Sequence, residues 1–220
     1  MKYQKITVPI AIVNLIALIA VTLRLPEQVP IHININNVVD GYGSRWFVPL
    51  LGAIPLLLLL SMEIYHRCTK NNINVQKNKK AESIVLTAIA LFFVAVSWVP
   101  VVVAKQITNQ ADLHMELIIG LPMGVLMIIL GNFMGVIKQN HYIGVRTKWT
   151  LSNEEVWRKT HRKAAYWSVL AGVIMVISAL TSYVVHNTII FFAGLILSVA
   201  LLAVVPIIYS YVLYKRINNK

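Results

Sequence analysis

Charge is scarce in this chain, and acidic charge scarcest of all. Only 13% of its 220 residues are Asp, Glu, Lys or Arg, eight of them acidic, while 58% are hydrophobic. A soluble domain is roughly one quarter charged, so this composition indicates an integral membrane protein. A single cysteine, Cys68, excludes an intrachain disulfide, and no metal-ligand spacing surrounds it. HExxH, GxSxG, P-loop and glycine-rich dinucleotide motifs are all missing. The serines within apolar runs (Ser61, Ser97, Ser178, Ser198) have no His or Lys at the same depth to activate them. No catalytic, cofactor-binding or metal-binding residue is assigned, and no enzymatic activity is expected.

Long apolar runs are what the chain has in abundance. About 20 apolar residues cross the hydrocarbon core as a helix, and residues 6–23, 47–65, 84–104, 117–137, 166–185 and 189–213 meet that length. The first run follows a basic start but is too long for a signal peptide and lacks an A-x-A site, so it is expected to remain as a span. Counting alternate connections, seventeen Lys and Arg fall on one side and three on the other. Cytoplasmic loops carry the excess of Lys and Arg. The expectation is an all-α polytopic protein with six transmembrane helices, both termini in the cytoplasm and Cys68 on that reducing side. It forms a single membrane domain over residues 1–220: a two-helix unit (1–65) with an outer loop (25–46), then a four-helix unit (84–220) with a basic inner loop (138–165). The net charge of +12 lies in blocks beside the apolar runs, which suits anionic lipid rather than direct nucleic-acid binding.

No ionisable side chain lies near the middle of any run, which counts against a proton- or ion-coupled transporter. Asn14 and Asn132 are the polar exceptions and are expected to bridge helices. The glycines at 52, 120, 124, 131, 172 and 194 allow close helix approach. Glu63 and Arg67 are spaced for an i,i+4 pair.

Two loops are patterned. In the outer loop Ile31, Ile33 and Ile35 alternate with His32, Asn34 and Asn36, the period of a half-buried strand. A small hairpin or flap is expected, with Asn36-Asn37 as a turn and Asp40-Gly41-Tyr42-Gly43 as a tight turn using positive φ at the glycines. Glu27, His32 and Asp40 are too scattered for a metal site. In the inner loop Ser152-Asn153-Glu154-Glu155 reads as a capping box with Ser152 as N-cap and Leu151 and Val156 as a staple. Glu154 and Glu155 precede Arg158 and Lys159 by four residues. A helix from Asn153 through Val185 is about 50 Å long against a core of about 30 Å, so its start must project. That stub is expected to display Arg158, His161, Arg162 and Lys163 beside Trp157, with Arg146 and Trp149 just upstream and Gly144 allowing a turn.

These inner-loop residues resemble the SdpI family of bacterial multi-pass membrane proteins. The likeness runs through Gly131-Asn132, Ile137-Lys138, Asn140, Tyr142-Ile143-Gly144-Val145-Arg146-Thr147 and Trp149-Thr150-Leu151-Ser152-Asn153-Glu154-Glu155-Val156-Trp157, with His161 further on. The outer loop, with Pro30-Ile31-His32 and Asp40-Gly41-Tyr42-Gly43-Ser44, is similar to an N-terminal domain of unknown function often joined to it. Gln139 and Lys148 stand where the family's pattern has prolines, which should loosen the loop. The resemblance implies immunity to a secreted peptide toxin met on the outer face. It further implies that a transcriptional repressor is held at the inner face. The alternative is a small multi-pass transporter built around Asn14 and Asn132.

Overall fold

A computed structural model describes residues 4–69, 73–110, 112–141 and 143–218; the motif residue Tyr142 lies outside them. It contains six helical passes long and apolar enough to cross a membrane. The first, α1 (Gln4–Thr22), leads into a two-stranded antiparallel hairpin, β1 (Gln28–Ile33) and β2 (Val39–Ser44). The second is α2 (Phe47–Cys68) and the third is α3 (Ile73–Val96) continued by α4 (Val99–Thr108). A single turn, α5 (Met115–Ile118), opens the fourth, α6 (Gly120–Met134). A short α7 (Lys148–Ser152) precedes the fifth, α8 (Glu154–Val185). The sixth runs from α9 (Thr188–Val199) through a π-turn (Ala200–Val204) into α10 (Val205–Asn218). Pro206 has no N–H to give the preceding turn, and a widened turn just ahead of it accommodates that loss.

The fold is that of a polytopic helical membrane protein, and its surface agrees with that setting. Exposed leucine, isoleucine or valine occurs on every pass, though on the fourth only at Val125, as lipid contact requires. Inside, small residues do the joining. α8 makes its most extensive contact with α6 and then with α9. A Cβ on Gly124 would lie 2.9 Å from the Gly172 carbonyl oxygen, and one on Gly172 2.6 Å from that of Gly124. The two backbones touch there, and a side chain at either position would force the helices apart. Ser198 Oγ donates to the Ala171 carbonyl at 2.9 Å, tying α9 to α8.

Asn14 bridges as expected. Its amide donates to Ser97 Oγ at 3.2 Å and its carbonyl accepts from Trp98 Nε1 at 2.7 Å, at the break between α3 and α4. Asn132 does not bridge: it is exposed and donates to the Ile128 carbonyl one turn back in its own helix. That local bond is what an outward-facing amide makes when no neighbouring helix is in reach.

The hairpin forms and reverses at the expected Asn36-Asn37, but without the second turn and with a different buried face. The reversal lies at Asn34–Asn37, where Asn34 Oδ1 accepts from the Asn36 and Val38 backbone N–H groups and Asn37 adopts φ 59°. Asp40-Gly41-Tyr42-Gly43 is not a tight turn; it lies within β2, and neither glycine has positive φ. Gly41 and Gly43 instead leave room for His32 and Ile31 across the ladder. Irregular register at Pro30–Ile33 breaks the alternation. Val29 and Pro30 are therefore the buried residues, whereas Ile31 and Ile35 face outward. Val29 anchors the hairpin on Leu18 and Val48.

Candidate functional site

At the end of the bundle opposite the hairpin, residues 135–141 and 143–153 fold into a cap over the start of α8. The cap is a hydrogen-bonded knot. Leaving α6, the chain turns so that the Ile137 carbonyl accepts from Trp157 Nε1 at 2.8 Å. Trp157 is buried with Ala81 and Ile137, flanked by Ile143 and Leu151. The backbone of the next residue is clamped from α3 at both its N–H and its carbonyl. Asn78 Nδ2 donates to the Lys138 carbonyl at 3.0 Å, and Asn78 Oδ1 accepts from the Lys138 N–H at 2.7 Å. Asn140, also buried, accepts from the Ile143 N–H at 2.9 Å and donates to the Lys138 carbonyl. Gln139 Nε2 donates to the Thr150 and Leu151 carbonyls at 2.7 and 2.9 Å. Where loosening is expected, the Gln139 amide instead makes two hydrogen bonds, because it reaches the free carbonyls at the end of α7.

His161 is the centre of the knot. It is fully buried and stacks on Trp157, ring centroids 3.9 Å apart and planes 18° off parallel. Its Nδ1 donates to the Trp157 carbonyl at 2.9 Å, and its Nε2 accepts from the Val145 N–H at 3.0 Å. Those two roles require the neutral Nδ1–H tautomer. Gly144 passes directly over this ring with φ 107°, and a Cβ there would fall on Nε2. Only glycine meets both demands.

Two helix starts are capped beside the knot. Thr147 and Thr150 form a reciprocal capping box, each side chain accepting from the other's backbone N–H, at 3.2 and 3.0 Å. Thr147 Oγ also lies 3.1 Å from Ser210 Oγ, joining the cap to α10. The N-cap of α8 is Asn153, whose Oδ1 accepts from the Glu155 and Val156 N–H groups at 2.9 and 3.1 Å. Ser152, expected in that role, instead ends α7 and donates to the Trp149 carbonyl. The extra short helix shifts the cap by one residue, since Ser152 is spent in α7 while Asn153 takes the extended backbone that an N-cap needs.

The motif residues therefore divide. Asn140, Gly144, Asn153, Trp157 and His161 build the knot, so Trp157 and His161 are not displayed as expected. Lys138, Arg146, Ser152, Glu154, Glu155, Arg158 and Arg162 are exposed, along with Lys148, Lys159 and Lys163. Arg146 Nη1 donates to the His141 carbonyl at 2.8 Å, and Glu155 pairs with Lys159 at 2.7 Å. Trp149 is half-buried against Tyr211 at 5.0 Å, with Lys148 over its ring. The result is a strongly cationic surface on a buried, hydrogen-bonded frame.

The hairpin end has a different character. Asn37 Nδ2 donates to the buried Glu116 carboxylate at 3.0 Å, and His114 Nδ1 lies 3.2 Å from its other oxygen. Beneath lies a cleft of about 220 Å³ lined by Ile33, Met115, Met123, Met175, Phe191 and Phe192. His32 pairs with Asp40 across the hairpin, both exposed, while Tyr42 is exposed beside them. Glu63 and Arg67 pair at 3.0 Å as their spacing predicts.

Several structural residues give no sign in the sequence. Asn78 lies in the run Gln-Lys-Asn-Lys-Lys, which reads as solvated, and only the approach of residue 138 reveals its role. Glu116 reads as no more than the edge of a loop. His66 and Glu82 face one another at 3.6 Å, both buried on α2 and α3, although the sequence places His66 in a loop. Thr147 with Thr150 carries a readable Thr-x-x-Thr signal.

Residues 136–210 match the SdpI/YfhL protein family, and residues 10–59 match a domain of unknown function, DUF1648. Over 225 aligned residues the chain is 30% identical to Immunity protein SdpI of Bacillus subtilis (strain 168), covering 100% of this chain and 99% of that protein. No solved structure matches.

Proposed function

From its membership of the SdpI/YfhL family, to which this chain belongs, we propose that it is a cell-membrane immunity protein protecting the cell that carries it from a secreted peptide toxin. The observation that carries the reading is likeness over the whole chain, cap and hairpin alike, to a protein named for immunity. The chain works by binding and not by turnover.

In this reading the cap and both termini face the cytoplasm and the hairpin faces outward, in line with the excess of Lys and Arg at the cap end. The toxin meets the hairpin end, where Glu116 and the cleft beneath Asn37 offer an apolar surface with an acidic rim. Pro30, His32, Asp40, Gly41, Tyr42 and Gly43 shape that surface. The cap, with Arg146, Arg158 and Arg162 outermost and Trp149 half-buried among them, is the surface for a cytoplasmic transcriptional repressor. Coupling of the two ends runs through α8, which reaches from the cap to Tyr183 beside His114. A toxin that binds one arrangement of α8 more tightly than another shifts the cap by that difference in affinity and no more.

A transport reading has lost its motivation, because Asn132 faces outward and Asn14 is engaged between helices. Survival is the test. A toxin-sensitive strain expressing the chain should outlive its empty-vector control when challenged with the family's secreted peptides. Equal killing of both, with the protein present in the membrane, refutes immunity.

A further inference from the structure

The flank of α8 beside the cap carries a second feature that the knot does not use. Between α8 and α10 lies an open cleft of about 460 Å³ lined by Lys159, Arg162, Lys163, Tyr166 and Tyr209. The α8 residues recur at i, i+3, i+4 and i+7, so one helix face supplies three cations and a tyrosine. Opposite, Tyr209 is held in place by an edge contact with Trp167 at 5.3 Å. Lys159 is engaged by Glu155. Arg162 and Lys163 have no acidic partner among the described residues, and both are exposed.

Depth identifies the occupant. Tyr166 begins the apolar run of α8, and the three cations precede it by three to seven residues, or about 5–10 Å along the axis. That is the headgroup layer, where a phosphate meets Lys and Arg while its acyl chains descend along the adjacent apolar face. Leu170 and Val173 lie exposed below the cleft on α8, and Ile208 and Val212 are exposed on α10. We propose that this cleft is a binding site for the phosphate headgroup of an anionic membrane phospholipid, with Arg162 and Lys163 as its principal ligands and Tyr166 and Tyr209 as its walls. Arg162 supplies a planar fork that can take two phosphate oxygens at once, and Lys163 supplies a point charge. A lipid held there braces α8 against α10 beside the contact that joins the cap to Ser210.

Thermal unfolding of the full chain in nanodiscs tests the site. Discs of phosphatidylcholine are compared with discs containing phosphatidylglycerol, with inorganic phosphate added to the former in a third arm. The expected result is a midpoint raised by about 4 °C or more in the phosphatidylglycerol discs. That gain should fall at least by half in the double variant Arg162→Gln/Lys163→Gln. The charge-matched variant Lys79→Gln/Lys80→Gln, exposed on α3 and not part of the cleft's lining, should keep it. A gain lost equally in both variants overturns the proposal in favour of diffuse attraction. A gain kept in both, or reproduced by inorganic phosphate alone, also overturns it. Co-purified phosphatidylglycerol counted per protein by native mass spectrometry gives a readout independent of stability, and an equal count in wild type and the cleft variant refutes the site.

Discussion

Replacing Gly144 by alanine tests the cap at its tightest point. Two costs arise from distinct causes. The backbone at φ 107° lies outside the regions that L side chains adopt, and holding alanine there costs about 1–3 kcal/mol. The new Cβ also meets His161 Nε2. The ring must move, which breaks the hydrogen bond from the Val145 N–H to His161 Nε2 and leaves a buried donor or acceptor unpaired, about 1–3 kcal/mol more. Together these amount to about 2–6 kcal/mol against the closed cap. Since about 1.4 kcal/mol is a factor of ten, amide exchange at Val145 should accelerate by about 30-fold or more, with α8 beyond Ser168 unchanged. Hydrogen exchange read by mass spectrometry over residues 138–165 measures this. A cycle with His161→Ala separates the two costs. Without the ring, Gly144→Ala should cost only the backbone strain. Exchange at Val145 within twofold of wild type in Gly144→Ala would refute the knot. Equal costs in both backgrounds would show that ring contact is not the reason glycine stands at 144.

Two further substitutions probe the frame. Asn153→Ala should lower the stability of the first turn of α8 by about 1 kcal/mol, whereas Ser152→Ala should change it by less than about 0.5 kcal/mol; exchange of the Glu155 and Val156 amides distinguishes them, and the reverse order would restore Ser152 as the cap. Asn78→Leu removes the acceptor of the Lys138 N–H and one of two donors to its carbonyl, which keeps Asn140 Nδ2, and should cost about 1–3 kcal/mol, seen as faster proteolysis of residues 135–150 in detergent; an unchanged cleavage rate would mean that the α3 clamp does not hold the loop.

How much of the molecule is legible in its sequence depends on the range of each interaction. Hydropathy over about 20 residues locates all six passes, because lipid imposes one requirement on every such segment. Glu63 with Arg67, and the start of α8 to within a residue, are local patterns and are readable as such. The Ser152/Asn153 error is local too: two adjacent residues can both cap, and which one does depends on whether a short helix precedes it. Gln139 misleads because a residue judged by the proline it replaces says nothing of the carbonyls it can reach.

Burial is the harder question. Trp157 and His161 stand in a cationic stretch that any hydropathy reading places at the surface, yet the returning loop covers them entirely. Asn78 and Lys138 are 60 residues apart, and Thr147 and Ser210 are 63 apart. Composition and order alone settled that this chain lives in a membrane, which six segments are apolar enough to cross it, and where its cations collect, since those depend on transfer energies summed along short windows. Only the folded bundle decided which of those cations and aromatics face water and which are locked inside. That choice rests on which backbone groups meet across the chain, and a buried donor or acceptor must find its partner wherever the fold brings one.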